Sequence, residues 1–293
     1  MIDLHVHSTY SDGCDNVETL LKHAEKNKLE VIAITDHNTI EAYKYEILDY
    51  KKYFTGRVIT GCEVSTILEK DIIEILGYKI DVVRFDKFLK QYFSDERKLE
   101  ILKKGLEFLY RKADEKGLKC DKVAYETLKS SDILTRLFNW EIAKHPENKS
   151  IYMQDAWENN TIFIRNYLSN PSSEWFIDNS LDYPSTKEVI DEIHKAGGLA
   201  FVAHPLEYSV QNIYDILDKI KKMGIDGIEI FHLSANIERR KGLIKYAEQN
   251  NLYMSGGSDY HRIDHPLKHS LVGDLRFSLV IEKNIIKSWI NEV

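Results

Sequence analysis

Short apolar runs alternate along the chain with stretches in which apolar residues recur every three or four positions. The short runs are typical of β-strands, and several are apolar on both faces, as expected for strands covered by helices. The alternation of strands and helices predicts an α/β fold, and about seven strands favour a barrel over an open sheet. The predicted strands are Ile2–Val6, Val31–Thr35, Arg57–Gly61, Ile72–Gly77, Leu199–Ala203, Gly227–Phe231 and Leu252–Ser255.

Apolar stripes at helical spacing locate the helices between these strands. Ser185 with Glu188 forms a capping box that predicts the start of one helix, and Gly197 marks its end. A final amphipathic helix is predicted over Ile281–Ile290, with Trp289 in the core. The stripes are Val17, Leu20, Leu21 and Ala24; Leu99, Leu102, Leu106 and Leu109; Val189, Ile190 and Ile193; and Ile213, Ile216, Leu217 and Ile220.

The interval 81–180 departs from the alternation. One strong helix ends near Gly117, and polar and aromatic stretches such as "HPENKS" and "SNPSSEW" follow. We therefore expect a helical insertion over 81–180 within a barrel made of residues 1–80 and 181–293. The insertion is either a lid over the active-site end or a decoration without a role in the reaction, since surface insertions are well tolerated.

Composition narrows the class of protein. The 293 residues are 43% hydrophobic and 30% charged, which predicts a substantial core and argues against disorder. The formal charge of −7 argues against a protein held on nucleic acid by a broad positive field, so we expect no stable nucleic-acid complex. A small phosphorylated substrate remains compatible with this charge, because bound cations invert it locally.

The cysteines and the N-terminal segment favour a reducing, cytoplasmic location. Cys14, Cys62 and Cys120 lie far apart without a C-x-x-C pair, so a disulfide framework or a thiolate zinc site is not expected. The printed sequence shows no basic, apolar leader and no apolar run long enough to cross a bilayer, so we expect neither a signal peptide nor a membrane partner.

Histidines and acidic residues collect at the predicted carboxyl ends of the strands, where barrel enzymes place their catalytic groups. His5 and His7 stand two apart on one strand, so they share a face, and a metal ion is the simplest common partner for two buried imidazoles. Each such residue alone has an ordinary explanation, but their coincidence favours a metal site. Glu74 adds weight, because an ionised carboxylate in an apolar strand is costly unless it is paired or binds metal. The collected residues are His5, His7, Asp12, Asp36, His37, Glu63, Glu74, His204, Asp259 and His261.

Six segments resemble, in order, the motifs of the polymerase and histidinol phosphatase (PHP) family, and most of all its stand-alone metal-dependent phosphoesterases. The resemblance covers residues 1–80 and about 185–262. It implies a distorted seven-stranded (β/α)7 barrel that holds two or three divalent metal ions. The segments are "DLHVHSTYSDG", "AITDHNT", "GCEVST", "ILGYKID", "HKAGGLAFVAHP" and "GGSDYH".

The resemblance also implies a role for each matching residue. Glu63 would bridge the first and second metals, and His204 would bind the second. Asp36 would lie behind the ligands and orient one of them or a water molecule. Glu74 stands where the family usually has histidine, and a carboxylate can ligate in its place. The first metal would be held by His5, His7, Glu63 and Asp259, and the third by Asp12, His37 and His261.

Two departures from the family pattern concern the substrate. Many relatives read Arg-Pro-His where this chain has Arg136-Leu137-Phe138, so the arginine that would hold phosphate remains and the histidine is lost. A Pro-Ser-His stretch is replaced by Leu233-Ser234-Ala235. His232 would compensate as a substrate-binding or catalytic group, or it is a barrel-mouth histidine bonded to backbone.

Mixed imidazole and carboxylate ligands suit Zn²⁺, Mn²⁺ or Fe²⁺. The resemblance implies hydrolysis of a phosphate ester by a metal-activated water. Either a metal-bound water or a histidine such as His204 or His232 would protonate the leaving group. A nucleotide is expected as the substrate, either a nucleoside 3′,5′-bisphosphate or a short oligonucleotide. The alternatives are a phosphatase of the histidinol phosphate type and a non-catalytic metal-binding module whose site has drifted. The oligomeric state is not predicted.

Overall fold

The computed structural model describes residues 1–45, 47–152, 155–157, 162–178, 182–208, 212–261 and 288–290. The chain divides into two compact units. The first comprises Met1–Leu68, Ile72–Leu89 and Pro184–Val293, and the second comprises Glu69–Asp71 and Lys90–Tyr183. The longer part of the second unit begins at Lys90, inside the helix Val82–Phe93, which the predicted insertion over 81–180 includes whole.

Eight strands are described, and they form two sheets. A three-stranded parallel sheet has the order β1-β2-β3, and a five-stranded sheet follows chain order from β4 to β8. In the second sheet, β5 and β6 are antiparallel, whereas β6, β7 and β8 are parallel. The strands are β1 (Ile2–Asp3), β2 (Val31–Ile32), β3 (Arg57–Val58), β4 (Gly61–Leu68), β5 (Asp71–Tyr78), β6 (Leu199–Val202), β7 (Gly227–Phe231) and β8 (Tyr253–Gly256).

The predicted α/β fold is confirmed, but the strands differ from the prediction. Strands β1, β2 and β3 are only two residues long, shorter than the five-residue strands that we expected there. A strand begins at Gly61, where we expected one to end, so Glu63 lies inside β4. Only Glu69 and Lys70 separate β4 from β5, which leaves no room for the crossover helix that a parallel pair needs. The described strands hydrogen-bond as two sheets, and the closed seven-stranded barrel stays a prediction.

Helices of the first unit bury the predicted apolar stripes. The Ser185 side chain caps the helix Thr186–Lys195 by accepting a hydrogen bond from the Glu188 N–H. Gly197 follows that helix with a φ of +75°. Trp289 is buried, as predicted, whereas most of Ile281–Ile290 lies outside the described residues. The helices that begin in this unit are α1 (Val17–Lys26), α2 (Glu41–Tyr45), α3 (Val82–Phe93), α6 (Thr186–Lys195), α7 (Ile213–Lys222) and α8 (Ile237–Gln249).

The second unit has a core of its own. Its long helix α4 (Asp95–Lys116) begins at the cap Ser94 and ends at Gly117, which adopts the left-handed conformation. Helix α5 (Leu134–Ala143) buries Phe138 against the leucines of α4. No helix of the described ranges is long and apolar enough to cross a membrane. Short helical turns complete the two units at Ile47–Lys52, Tyr125–Thr127, Pro146–Ser150, Phe163–Leu168 and Pro205–Glu207.

Candidate metal centre

The chain segments that follow β1 and β8 lie side by side and carry four of the predicted ligands. The backbone N–H of Asp259 donates to the His5 carbonyl at 2.8 Å, and the N–H of His7 donates to the Tyr260 carbonyl at 2.9 Å. Both imidazoles and the Asp259 carboxylate are buried. Pairing of these two segments therefore brings residues about 250 positions apart in the sequence to one place.

Glycine permits this close approach. A Cβ at Gly257 would lie 2.3 Å from the backbone nitrogen of His5, and a Cβ at Gly13 would lie 2.2 Å from the carbonyl oxygen of His7. Any side chain at either position would push the histidine-bearing segment away, so both glycines help to place the imidazoles.

Glu63 lies at the middle of the site. Its carboxylate is fully buried, because β4 carries it inward between the segments that follow β1 and β2. One oxygen, Oε1, lies 2.9 Å from His204 Nε2. The other, Oε2, lies 3.2 Å from His5 Nε2, 3.4 Å from His7 Nε2 and 3.1 Å from His37 Nδ1.

Asp12 joins two histidines at the more open side of the site. Its Oδ2 lies 3.2 Å from His261 Nε2, and its Oδ1 lies 3.9 Å from His37 Nε2. The Asp12 side chain is 55% exposed, in contrast to the buried Glu63. The Asp12 carboxylate therefore faces solvent and is accessible to a ligand from outside.

Glu74 reaches the same site from β5. Its carboxylate oxygens lie 3.4 Å from His204 Nε2 and 3.7 Å from His37 Nδ1. The side chain is 23% exposed, and the two histidines are the kind of partners that an ionised carboxylate in an apolar strand needs. Ile73 and Ile75 face the core, and Glu74 points to the other side of the strand, toward the histidines.

The donor atoms fit bound cations. They form four overlapping groups whose nitrogen and oxygen atoms lie within 4.8 Å of one another in each group. Neither ring nitrogen of His7, nor Nδ1 of His204, has a hydrogen-bond partner among the described residues, although these atoms are buried. A divalent ion supplies such a partner and offsets the cost of burying the carboxylates. The groups are His7, Asp12, His37 and His261; His5, Glu63 and His204; His5, His7 and Asp259; and His37, Glu63 and Glu74.

The structure adds two acidic residues that we did not predict. Glu229 is fully buried in β7 and accepts a hydrogen bond from His5 Nδ1 at 2.9 Å. Asp3 accepts hydrogen bonds from the backbone and side chain of Ser258, next to Asp259. A signal existed for Glu229, since it interrupts the apolar run "GIEIF" just as Glu74 interrupts its own strand.

Three other predicted residues have different surroundings. His232 Nδ1 accepts a hydrogen bond from the Ser234 N–H, so its Nε2 proton faces Asp259 Oδ2 at 3.3 Å. Asp36 accepts hydrogen bonds from Ser8 and Ser11 and thereby holds the loop between His7 and Asp12. Arg136 is exposed on α5 of the second unit, and its contact with phosphate stays a prediction.

The surroundings of the two histidines lower the pKa of His7 and raise that of His204. Burial and the charge of His37 lower the pKa of His7 to about 3, so this imidazole is neutral at neutral pH. Burial also opposes the charged form of His204, but the hydrogen bond and charge of Glu63 outweigh it and raise the pKa to about 10. The raised value means that protonated His204 stabilises the metal-free protein below pH 6.5, and this contribution is lost as the pH rises through about 10.

Metal binding is therefore expected to release protons. A cation at His204 Nε2 must displace the proton held there, so the metal affinity should rise by about tenfold per pH unit for each proton released, from about pH 7 to about pH 9. Calorimetric titration in two buffers of different ionisation enthalpy measures the released protons. An affinity independent of pH, with no dependence on the buffer, would contradict this protonation of His204.

Comparisons with known proteins agree with the site. The chain is 28% identical over 265 residues to a 5′-3′ exoribonuclease of Haemophilus influenzae, across 88% of this chain and 89% of that protein. It is 23% identical over 263 residues to a 3′,5′-nucleoside bisphosphate phosphatase of Chromobacterium violaceum, across 89% and 87%. The crystal structure of a candidate metal-dependent phosphoesterase from Bifidobacterium adolescentis has the same fold, with a TM-score of 0.64 at 22% identity over 98% of this chain and 95% of that one.

The family resemblance noted in the sequence is thus confirmed. Residues 3–198 match the PHP domain, which is about two thirds of the chain. The matched range includes six of the nine predicted ligands, from His5 to Glu74, and also Asp36. The chain belongs to the PHP domain family.

Proposed function

We propose that the chain, a metal-dependent phosphoesterase of the PHP family, hydrolyses phosphate esters of nucleotides, either a nucleoside 3′,5′-bisphosphate or a short oligonucleotide. The observation that carries the proposal is the position of Glu63, whose buried carboxylate lies within 3.4 Å of a ring nitrogen on each of four histidines. A single carboxylate among so many donors is suited to lie between two cations. The names of the exoribonuclease and bisphosphate phosphatase relatives support the nucleotide class.

The residues that would hold the metals are those of the four donor groups. When bound, divalent ions would lower the pKa of a water molecule and neutralise charge on the phosphoryl oxygens. Glu63 would hold two such ions in fixed positions, and His232 would fix Asp259 through the Nε2 hydrogen bond. Zn²⁺, Mn²⁺ and Fe²⁺ remain the expected ions, two or three per chain, because the donors are imidazole and carboxylate without thiolate.

The proposal also assigns residues to substrate binding and to proton donation. Arg136 is proposed to bind the phosphate through its guanidinium group. His204 or His232 is proposed to protonate the leaving group, and His232 would first have to give up its hydrogen bond to Asp259.

The closed barrel, the lid role of the insertion and a cytoplasmic location also remain proposals. The expected lack of a stable nucleic-acid complex has no support, since one relative is an exoribonuclease.

A panel of substrates tests the proposal. With Mn²⁺ present, we expect phosphate release from adenosine 3′,5′-bisphosphate or shortening of a 5′-phosphorylated RNA oligonucleotide, at a kcat/KM at least about a hundredfold above that for histidinol phosphate. Preference for histidinol phosphate would favour the alternative phosphatase and contradict the nucleotide assignment. If no phosphate is released from the monoesters, the RNA is not shortened and a nitrophenyl ester is not hydrolysed, the non-catalytic module would be supported.

A further inference from the structure

Glu229 has two hydrogen-bond partners, and each belongs to a different proposed ligand. Its Oε1 accepts from Nδ1 of His5 at 2.9 Å, and its Oε2 accepts from the backbone N–H of His204 at 2.8 Å. The carboxylate is fully buried on β7, between these two segments. One side chain therefore connects two residues that lie 199 positions apart in the sequence.

The contact with His5 determines which ring nitrogen faces the donor groups. A carboxylate can only accept, so Nδ1 of His5 must carry the proton. Nε2, which lies 3.2 Å from Glu63 Oε2 and 3.5 Å from Asp259 Oδ1, is then the nitrogen that a cation could bind in place of a second proton. Two oxygens facing a lone pair repel it unless a cation, or a second proton, lies between them. Glu229 thereby presents His5 as a nitrogen ligand toward Glu63.

The contact with His204 holds an unusual backbone conformation. His204 has a φ of +20° and a ψ of 61°, a region that residues other than glycine rarely adopt. Such a conformation persists only where surrounding contacts enforce it. The hydrogen bond from its N–H to Glu229 is such a contact, and the resulting conformation brings Nε2 to 2.9 Å from Glu63 Oε1.

We propose that Glu229 is a positioning residue for two metal ligands at once, orienting the His5 imidazole with one oxygen and the His204 backbone with the other. The proposal rests on the proposed metal centre. Because Glu229 itself is not among the donor groups, its effect on metal binding is exerted through His5 and His204. Partners that orient metal-binding histidines in this way typically change metal affinity by roughly 10- to 100-fold when they are replaced.

Glu229→Gln is the first test. Both partners of Glu229 are donors, and an amide has one acceptor oxygen, so glutamine leaves one donor facing an NH₂ group. We expect the dissociation constant of Mn²⁺ or Co²⁺, measured by calorimetry without substrate, to rise by roughly 10- to 100-fold. The visible absorption of the Co²⁺-loaded protein should change as well, since it reports ligand geometry.

Asp226 offers a matched control at the start of the same strand. Its Oδ2 accepts from the Ala200 N–H at 2.8 Å and lies 2.7 Å from His194 Nε2, so it also joins a histidine ring and a backbone N–H. Asp226→Asn makes the same acid-to-amide change away from the donor groups, and we expect its metal affinity to stay within about twofold of wild type. Glu229→Asp, which keeps the charge but is too short to reach both partners, serves if the glutamine variant does not fold.

Each result decides between the possibilities. A loss of metal affinity in the Glu229 variants, with Asp226→Asn unchanged and all proteins folded by circular dichroism, supports the positioning role. An unchanged dissociation constant in a folded Glu229 variant overturns it, and so does an equal loss in Asp226→Asn, which would indicate general weakening of the sheet. Wild-type protein that binds no metal would instead refute the metal centre, and the positioning role with it.

Discussion

Replacing Glu63 with glutamine should reduce phosphate-ester hydrolysis by about a thousandfold or more. Glu63 is the residue that contacts His5, His7, His37 and His204 together, so its loss removes the negative charge that would hold two cations close to each other. A metal ion at a reacting phosphate supplies several kcal/mol, and a thousandfold corresponds to about 4 kcal/mol. Steady-state kinetics with a nitrophenyl phosphate ester and saturating Mn²⁺ measures the change.

The control separates loss of the charge at the site from a general effect of the substitution. Glu192→Gln removes a glutamate that pairs with Lys195 on the surface of α6, and we expect wild-type activity from it. The Glu63 variant should retain the helical circular dichroism signal of the wild type, because the helices pack through apolar stripes that do not include Glu63. Activity of the folded Glu63 variant within tenfold of wild type would exclude a bridging role.

Removal of metal should abolish activity and lower stability together. Dialysis against a chelator leaves the buried carboxylates of Glu63, Asp259 and Glu229 without the cations that would offset their charge. Adding back Mn²⁺, Zn²⁺ or Fe²⁺ should restore hydrolysis, and an ion at about 100 times its dissociation constant should raise the free energy of unfolding by about 2.7 kcal/mol. Activity assays and thermal unfolding of the same samples measure both effects.

Ca²⁺ serves as the comparison ion in that experiment. Ca²⁺ prefers oxygen ligands and more of them than this site offers, so it should restore little activity at the same concentration. A chelator-treated protein that remains fully active, with metal undetectable by elemental analysis, would exclude the metal-dependent reaction. Recovery of activity without any change in thermal unfolding would contradict binding at the buried donors.

Local patterns in the sequence predicted the parts of this structure that depend on neighbouring residues. The helix that starts at Ser185 and stops before Gly197 follows from a capping side chain and from a glycine that tolerates a positive φ. His5 and His7 lie after β1 and not on it, yet both imidazoles turn toward Glu63, as their two-residue spacing led us to expect. The family motifs then indicated which distant residues would meet, and the structure places the nine predicted ligands in the four donor groups.

Features that depend on tertiary contacts could not be predicted in the same way. Strand β4 was missed because "GCEVSTIL" mixes polar and apolar residues on both faces, a pattern that neither strand nor helix spacing describes well. The 23% exposure of Glu74 could not be predicted, because the isoleucines beside it do not show what covers the second face of the strand. Glu229 was overlooked since an isolated acid in an apolar run does not reveal its partners, His5 and the His204 backbone, which are 224 and 25 residues away.

Anomalous diffraction from crystals grown with Mn²⁺ or Zn²⁺ would locate the ions themselves. We expect at least two peaks per chain, with each oxygen of Glu63 about 2 Å from a different peak. His5 and His204 should provide nitrogen ligands to those two ions, in keeping with the distances to Glu63 in the structure. A single ion bound away from Glu63, or well-diffracting crystals without a peak at these donors, would contradict the proposed two-metal hydrolysis.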